Sequence, residues 1–262
     1  MTCIRAEMLS DIGRRRKRNE DTIGHWPPSP EQPESELGAL FVLADGVGGA
    51  AAGEIASREA VRHVIRAYYD QSRFPSTKNP LEDTKFRLLN SVKIANRAVH
   101  KMGQANVNMK WMSTTIVLAA IRDHTVTIAS VGDSPAFLIR NNEIRKLTID
   151  HTFAEMQSRG GLLSHREAWL HPDRHKLVRT VGRISTVDVD VVNEALEPGD
   201  YVLLCSDGLT RYVLPAEMKD MVNTKSLDHA VHDMVECANN RGGSDNISVI
   251  AIEVLPDKQR AI

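Results

Sequence analysis

The ten residues Leu40-Phe41-Val42-Leu43-Ala44-Asp45-Gly46-Val47-Gly48-Gly49 organise the chain around them. Four apolar residues in a row predict a short strand buried on both faces. The run stops on a carboxylate followed by glycine, so an acidic group is delivered at the mouth of the core. The glycines let backbone lie close to whatever Asp45 holds. Ala50-Ala51-Ala52-Gly53 then leads into an amphipathic helix. A plain strand-to-helix turn would use the same residues, glycine for geometry and aspartate for solvation, so both readings stand at this point.

The same grammar recurs along the chain. Val202-Leu203-Leu204-Cys205-Ser206-Asp207-Gly208 repeats apolar strand, small residue, Asp, Gly, and Ala129-Ser130-Val131-Gly132-Asp133-Ser134 is a third version. Gly242-Gly243-Ser244-Asp245-Asn246 sets a fourth aspartate at the entry of a strand, and Asp21 is a candidate fifth. Carboxylates gathered at converging strand ends repel one another and must be neutralised by protons or by metal. Hard oxygen ligands without cysteine imply Mg²⁺ or Mn²⁺ rather than a thiolate zinc site. Separate structural turns remain the alternative.

Composition narrows the class. The 262 residues are 42% hydrophobic and 26% charged, as in a globular protein with a sizeable core. A net charge of −1 gives no general attraction to nucleic acid or membrane surfaces. Three cysteines, Cys3, Cys205 and Cys237, form no CxxC pair, which fits a reducing compartment. The N-terminus has no apolar signal region, and no apolar run approaches the ~20 residues of a membrane helix. The expectation is a cytoplasmic, soluble protein. The run Arg14-Arg15-Arg16-Lys17-Arg18 is followed directly by Asn19-Glu20-Asp21, so it reads as a solvated face rather than a nucleic-acid patch.

Residues 24–37 carry four prolines and read as an exposed loop. From Glu54 to about Tyr69, Ile55, Ala60, Val61, Val64, Ile65 and Tyr68 share one helical stripe. From Leu81 to Met102, Leu88, Val92, Ala95, Val99 and Met102 recur at steps of 4, 3, 4 and 3. Then the period changes. Thr114–Ile121, Thr125–Val131, Ala136–Arg140 and Glu143–Leu147 read as antiparallel strands, the last two joined by an Asn141-Asn142 hairpin turn. Residues 150–182 lose periodicity and contain His171 and His175. Strands resume at Val187–Val192 and Tyr201–Cys205, two helical patches lie between Pro215 and Asn240, and Ile247–Val254 is the last strand. Helices in two pairs, with strands before, between and after, suit antiparallel sheets between helix pairs in a single domain spanning 1–262.

Six blocks carry a resemblance: Arg16-Lys17-Arg18-Asn19-Glu20-Asp21, Asp45-Gly46-Val47-Gly48-Gly49, Ser113-Thr114-Thr115, Val131-Gly132-Asp133-Ser134, Ser206-Asp207-Gly208 and Gly243-Ser244-Asp245-Asn246. In this order they resemble the motifs of the metal-dependent protein phosphatases (PPM, type 2C) in their bacterial form. The resemblance implies an α+β fold, an α-β-β-α sandwich of two antiparallel sheets flanked by helix pairs. It implies hydrolysis of phosphoserine and phosphothreonine in proteins by a hydroxide bridging two Mn²⁺ or Mg²⁺ ions, reversing a bacterial serine/threonine kinase in signal transduction. By position, Asp45 resembles the carboxylate bridging two ions, with the Gly46 carbonyl on the second. Asp207 and Asp245 resemble the other ligands of the first ion. Asp21 resembles the acidic residue at the second, with Glu20 sharing that task. Arg16 matches the arginine that holds the substrate phosphate, Asp133 with Asp207 a third metal site, and Asn246 a support for Asp245.

The resemblance has two departures. Val47 stands where many eukaryotic members carry a histidine, so the general acid is unassigned, with a metal-bound water, His171 or His175 as candidates. Pro135 stands where relatives usually have arginine. Residues 150–182 correspond to the flap of bacterial members. Phosphorylated proteins are the expected partners, among them forkhead-associated-domain or secretion-system proteins. Neither nucleic acid nor membrane is expected as a partner, and the chain is expected to be a monomer. The competing reading, from a different class, is a catalytically silent module that binds phosphoproteins.

Overall fold

The computed structural model describes residues 2–27, 36–47, 52–75 and 79–256. Gly48 and Gly49 of the opening stretch, and most of the proline-rich loop, lie outside them. Eleven strands are described: β1 (Cys3–Asp11), β2 (Asp21–Trp26), β3 (Ala39–Val47), β4 (Ser113–Thr114), β5 (Ile116–Arg122), β6 (Thr125–Val131), β7 (Ala136–Arg140), β8 (Glu143–Lys146), β9 (Asp190–Ala195), β10 (Tyr201–Cys205) and β11 (Ile247–Leu255). The helices are α1 (Ala52–Tyr68), α2 (Pro80–Ala105), α3 (Phe153–Arg159), α4 (His165–Leu170), α5 (Asp207–Thr210), α6 (Pro215–Thr224) and α7 (Leu227–Asn240).

One sheet runs β1-β11-β10-β7-β8. The other runs β2-β3-β5-β6-β9, with β4 paired to β3, and every pairing is antiparallel. The alternation of β3 explains the layering. Phe41 and Leu43 point between the sheets, with Val117, Ile128, Leu138, Leu204 and Ile250. Leu40, Val42 and Ala44 point the other way, onto Val61, Val64, Leu88 and Val92 of α1 and α2. A strand buried on both faces is thus what the apolar run specifies. On the outer face of the first sheet, Leu203 and Val249 pack on Met218, Val231 and Met234 of α6 and α7. Three apolar layers between four structural layers make the α-β-β-α sandwich, an α+β fold as expected.

Both long stripes form helices, and α2 is capped by Asn79, whose side chain accepts from the backbone of Leu81 and Glu82. Asn141 and Asn142 turn the β7–β8 hairpin with φ of 50° and 62°, the pair of left-handed conformations that such a tight turn requires. Three expectations shift. The first two strands were not anticipated, although Ile4, Ala6 and Met8 alternate onto the inter-sheet layer; Arg5 and Glu7 between them hide the pattern. The strand expected at Val187–Val192 lies at Asp190–Ala195, because its partner β6 ends at Val131 before Gly132 turns the chain away, and pairing stops at Ser130 with Asp190. Residues 150–182 hold the short helices α3 and α4, too brief to show a helical period.

Candidate active site

All four recurring aspartates arrive at the same end of the sandwich. Asp45 closes β3 and Asp133 follows β6 in one sheet, while Asp207 follows β10 and Asp245 precedes β11 in the other. Antiparallel order puts the start of β2 at the same end, and Asp21 is the register partner of Asp45. Like charges directly opposite across a strand pair destabilise a sheet unless something neutralises them. Together with Arg16, Glu20, Gly46, Val47, Thr115, His175, Leu177 and Arg211, these carboxylates other than Asp21 line a cleft of about 260 Å³.

The backbone of Asp45 is clamped. Its N–H donates to Thr115 Oγ1 (3.1 Å), and its carbonyl accepts from Thr115 N–H (2.8 Å) and Thr114 Oγ1 (2.8 Å). Gly46 N–H donates to the carbonyl of Glu20 (3.1 Å), and a Cβ on Gly46 would lie 2.4 Å from the carbonyl oxygen of Gly53. Only glycine fits there. Asp21 lies behind the cleft wall. Its Oδ2 accepts from Ser248 Oγ (2.7 Å), at the end of a chain that runs from Asn19 through Ser10. Its Oδ1 is buried with no hydrogen-bond partner, as is Oε1 of Glu20. Asn246 donates to the carbonyls of Ile12 and Arg18 and accepts from Glu20 N–H (2.8 Å), so its side chain pins the Glu20 segment. It supports Asp245 through its own backbone N–H, 2.9 Å from Asp245 Oδ1, rather than through the side-chain amide.

The electrostatics record the crowding. Burial, then the charges of Asp21, Asp207, Asp133 and Asp245, pushes Asp45 well above the usual carboxylate range. Burial raises Asp21 to about 7 against the hydrogen bonds from Ser248 and Ser206, with Asp207 and Asp245 adding to the rise. Burial, then Asp207 and Asp150, raises Asp133 to about 8. Two arginines offset part of this charge. Arg16 donates to Asp245 Oδ2 at 2.8 Å. Arg211 donates to Asp207 Oδ2 at 2.6 Å and lies 3.7 Å from Asp245.

Sequence reading passed over Arg211, although it sits four residues after Asp207, one turn along the helical segment that Asp207 opens. It also passed over His151, whose Nδ1 accepts from Gly132 N–H (2.9 Å) and whose Nε2 lies 3.2 Å from Asp190. That bond steadies the turn carrying Asp133. Of the two histidines singled out, His175 reaches the cleft, one of its nitrogens lying within 4.8 Å of carboxylate oxygens of both Asp133 and Asp207. His171 instead tilts against Phe153, their ring centroids 5.8 Å apart.

Orphaned buried carboxylate oxygens, protons held at neutral pH and an all-oxygen donor set fit hard divalent cations. A sandwich with such a cleft defines a candidate metal-binding protein. The sequence profile of the Protein phosphatase 2C family matches residues 32–250, and the chain belongs to that family. It is similar to serine/threonine phosphatase stp of Listeria welshimeri, 34% identical over 95% of this chain and 96% of the relative. The Streptococcus agalactiae serine/threonine phosphatase superposes with a TM-score of 0.84 at 33% identity, over 96% of this chain and 99% of that one. The catalytic domain of serine threonine protein phosphatase PstP, solved in complex with two manganese ions, does so with a TM-score of 0.79 at 26% identity, over 97% and 99%. The chain is a protein serine/threonine phosphatase, and the all-oxygen donor set of its cleft suits manganese or magnesium. No helix among the described residues is long and apolar enough to cross a membrane.

Proposed function

We propose that this cleft hydrolyses phosphoserine and phosphothreonine in proteins modified by a bacterial serine/threonine kinase, acting as one cytoplasmic catalytic domain. The observation that carries the reading is the meeting of Asp45, Asp133, Asp207 and Asp245 from both sheets around one cavity, with buried carboxylate oxygens left without partners beside it.

In this reading Asp45, the Gly46 carbonyl, Glu20, Asp21, Asp207 and Asp245 are the groups that would hold the cations. Asp133 and Asp207, joined by His175, offer a further position. When bound, the cations neutralise the carboxylates and lower the pKa of a water so that it attacks phosphorus at neutral pH. Arg16 supplies a forked donor to the phosphoryl oxygens, a geometry lysine cannot match. Its present bond to Asp245 keeps the guanidinium at the cleft rim until a phosphate arrives. Glu20 is held open toward the cavity by Asn246 and Gly46, which fix its backbone at both polar groups. Val47 lines the cleft without any group that can give a proton, so the leaving oxygen takes its proton from water or from His175, the histidine of the 150–182 segment that reaches the site.

The test is hydrolysis of a phosphothreonine peptide with manganese by wild type, Asp45→Ala and Asp245→Asn, with ion binding followed by calorimetry. Loss of both binding and turnover in the variants is expected. Retained turnover would sink the assignment.

A further inference from the structure

Beside the carboxylate cleft lies a larger groove of about 460 Å³, and Val47 and Leu177 border both. Its outer wall is the strap 178–188, whose backbone is tied to α2. Gly182 N–H donates to Asn96 Oδ1 (2.7 Å), Asn96 Nδ2 donates to the Ile184 carbonyl (3.0 Å), and the Gly182 carbonyl lies 3.2 Å from His100 Nδ1. Gly182 adopts φ 94° against Val99, so the approach needs glycine. With the main chain held, the neighbouring side chains face outward: Ile184 is 60% exposed and Val178 49%.

Arg183, between these anchors, places its guanidinium carbon 4.6 Å from the ring centroid of Trp111, and Lys110 Nζ lies 5.4 Å from the same ring. Trp111 is 52% exposed and is presented at φ 71°, an unusual conformation for a bulky residue. The other groove arginine, Arg179, is spent on Asp190 at 2.7 Å. Among the described residues Arg183 has no ion pair. A guanidinium stacked on an aromatic ring loses little freedom when its N–H fork takes a carboxylate. Two cations on one ring, against the single groove carboxylate Asp188, leave local positive charge beside apolar surface.

We propose that this groove selects substrates: the phosphoprotein segment next to the phosphorylated residue lies in it, with an Asp or Glu side chain on Arg183 and an apolar side chain against Val178 and Ile184. The proposal rests on the reading of the cleft as the phosphatase site. Arg183 is a specificity residue and takes no part in the chemistry.

The experiment scans a single Asp through positions two to five on either side of phosphothreonine in an otherwise alanine peptide, with para-nitrophenyl phosphate as a probe of chemistry alone. In wild type, kcat/KM should peak at one position by roughly fivefold, through KM. Arg183→Ala should flatten that peak, Arg183→Lys should keep part of it, and Arg183→Glu should shift the preference to Lys. All three should leave the small ester untouched. A flat wild-type profile, a peak that survives Arg183→Ala, or an Arg183→Ala defect on the small ester would overturn the groove. So would a doubly phosphorylated peptide preferred over every Asp peptide. Failure of Asp45→Ala to abolish hydrolysis of the small ester would instead overturn the cleft reading, which separates the two.

Discussion

Among the described residues, two of the groups of buried charges are treated in opposite ways. On the buried face of α2, Arg87 and Asp83 are sealed from solvent and 3.1 Å apart, and Arg122 adds a second ion pair to Asp83 at 3.0 Å. Arg87 also donates to the carbonyls of Tyr68 and Phe74, closing the end of α1 and the turn after it. At the cleft, carboxylates outnumber the cations facing them, two oxygens have no partner, and Asp21 and Asp133 hold protons near neutral pH. The first group is complete without any ligand and serves the fold. The second is complete only when something cationic joins it. The partner count, and not burial itself, separates a structural charge from a functional one.

Four experiments break or sharpen this contrast. The largest effect is expected for Asp45→Ala, which should reduce manganese-dependent turnover to that of the chelated protein while leaving it folded by circular dichroism. Next, Asp83→Ala strands Arg87 in the interior and should cost about 3–5 kcal/mol of stability, read as a melting-temperature drop on the order of 10 °C. Its kcat/KM per folded molecule should stay at the wild-type value. If Asp83→Ala instead abolished turnover without unfolding, the contrast would fail.

The third experiment is a pH series on chelated protein. Asp21 and Asp133 have raised pKa values in the fold, so they contribute stability that is complete below their ordinary 3.8 and is lost as pH rises toward about 7 and about 8. Thermal stability without metal should therefore fall between about pH 4 and about pH 8, and saturating manganese should flatten the slope. The smallest effect belongs to His151. Burial lowers its pKa against the pull of Asp190, so its contribution is complete above the ordinary 6.5 and is lost as pH falls. His151→Gln should cost about 1 kcal/mol and remove that acid-side loss, a sign opposite to that of the carboxylates. A melting curve for the variant that still weakened on the acid side would assign the loss elsewhere.

Much of this arrangement is legible in the chain. Asp45, Asp133 and Asp207 stand where short apolar runs stop at Asp-Gly or Gly-Asp, Asp245 stands where one begins, and that is visible without coordinates. Helices long enough to repeat, such as α2, declare themselves by period. What hides is whatever depends on a partner far away in sequence. The edge strand β1 is half polar, and its alternation gains meaning only beside β11. The limits of β9 are set by where β6 turns. Arg211 looks like any surface arginine until Asp245, just before the next strand, comes within reach. Asp21 reads as a ligand, and only the fold shows that Glu20 takes the cleft wall while Asp21 stands behind it.

The pairing of β1 with β11 has a practical outcome. Cys3 and Leu255 are register partners, and Asp11 with Ile247 closes the same ladder beside Asp245. Eight steps at ~3.4 Å put the Cys3–Leu255 rung roughly 27 Å from the catalytic end. A dye, a resin or a fused protein coupled through either rung residue would point away from incoming phosphoproteins. Because the two positions are neighbours, a short linker could join them, and the chain could be reopened at the Asn141-Asn142 turn to give a permuted phosphatase with its cleft undisturbed.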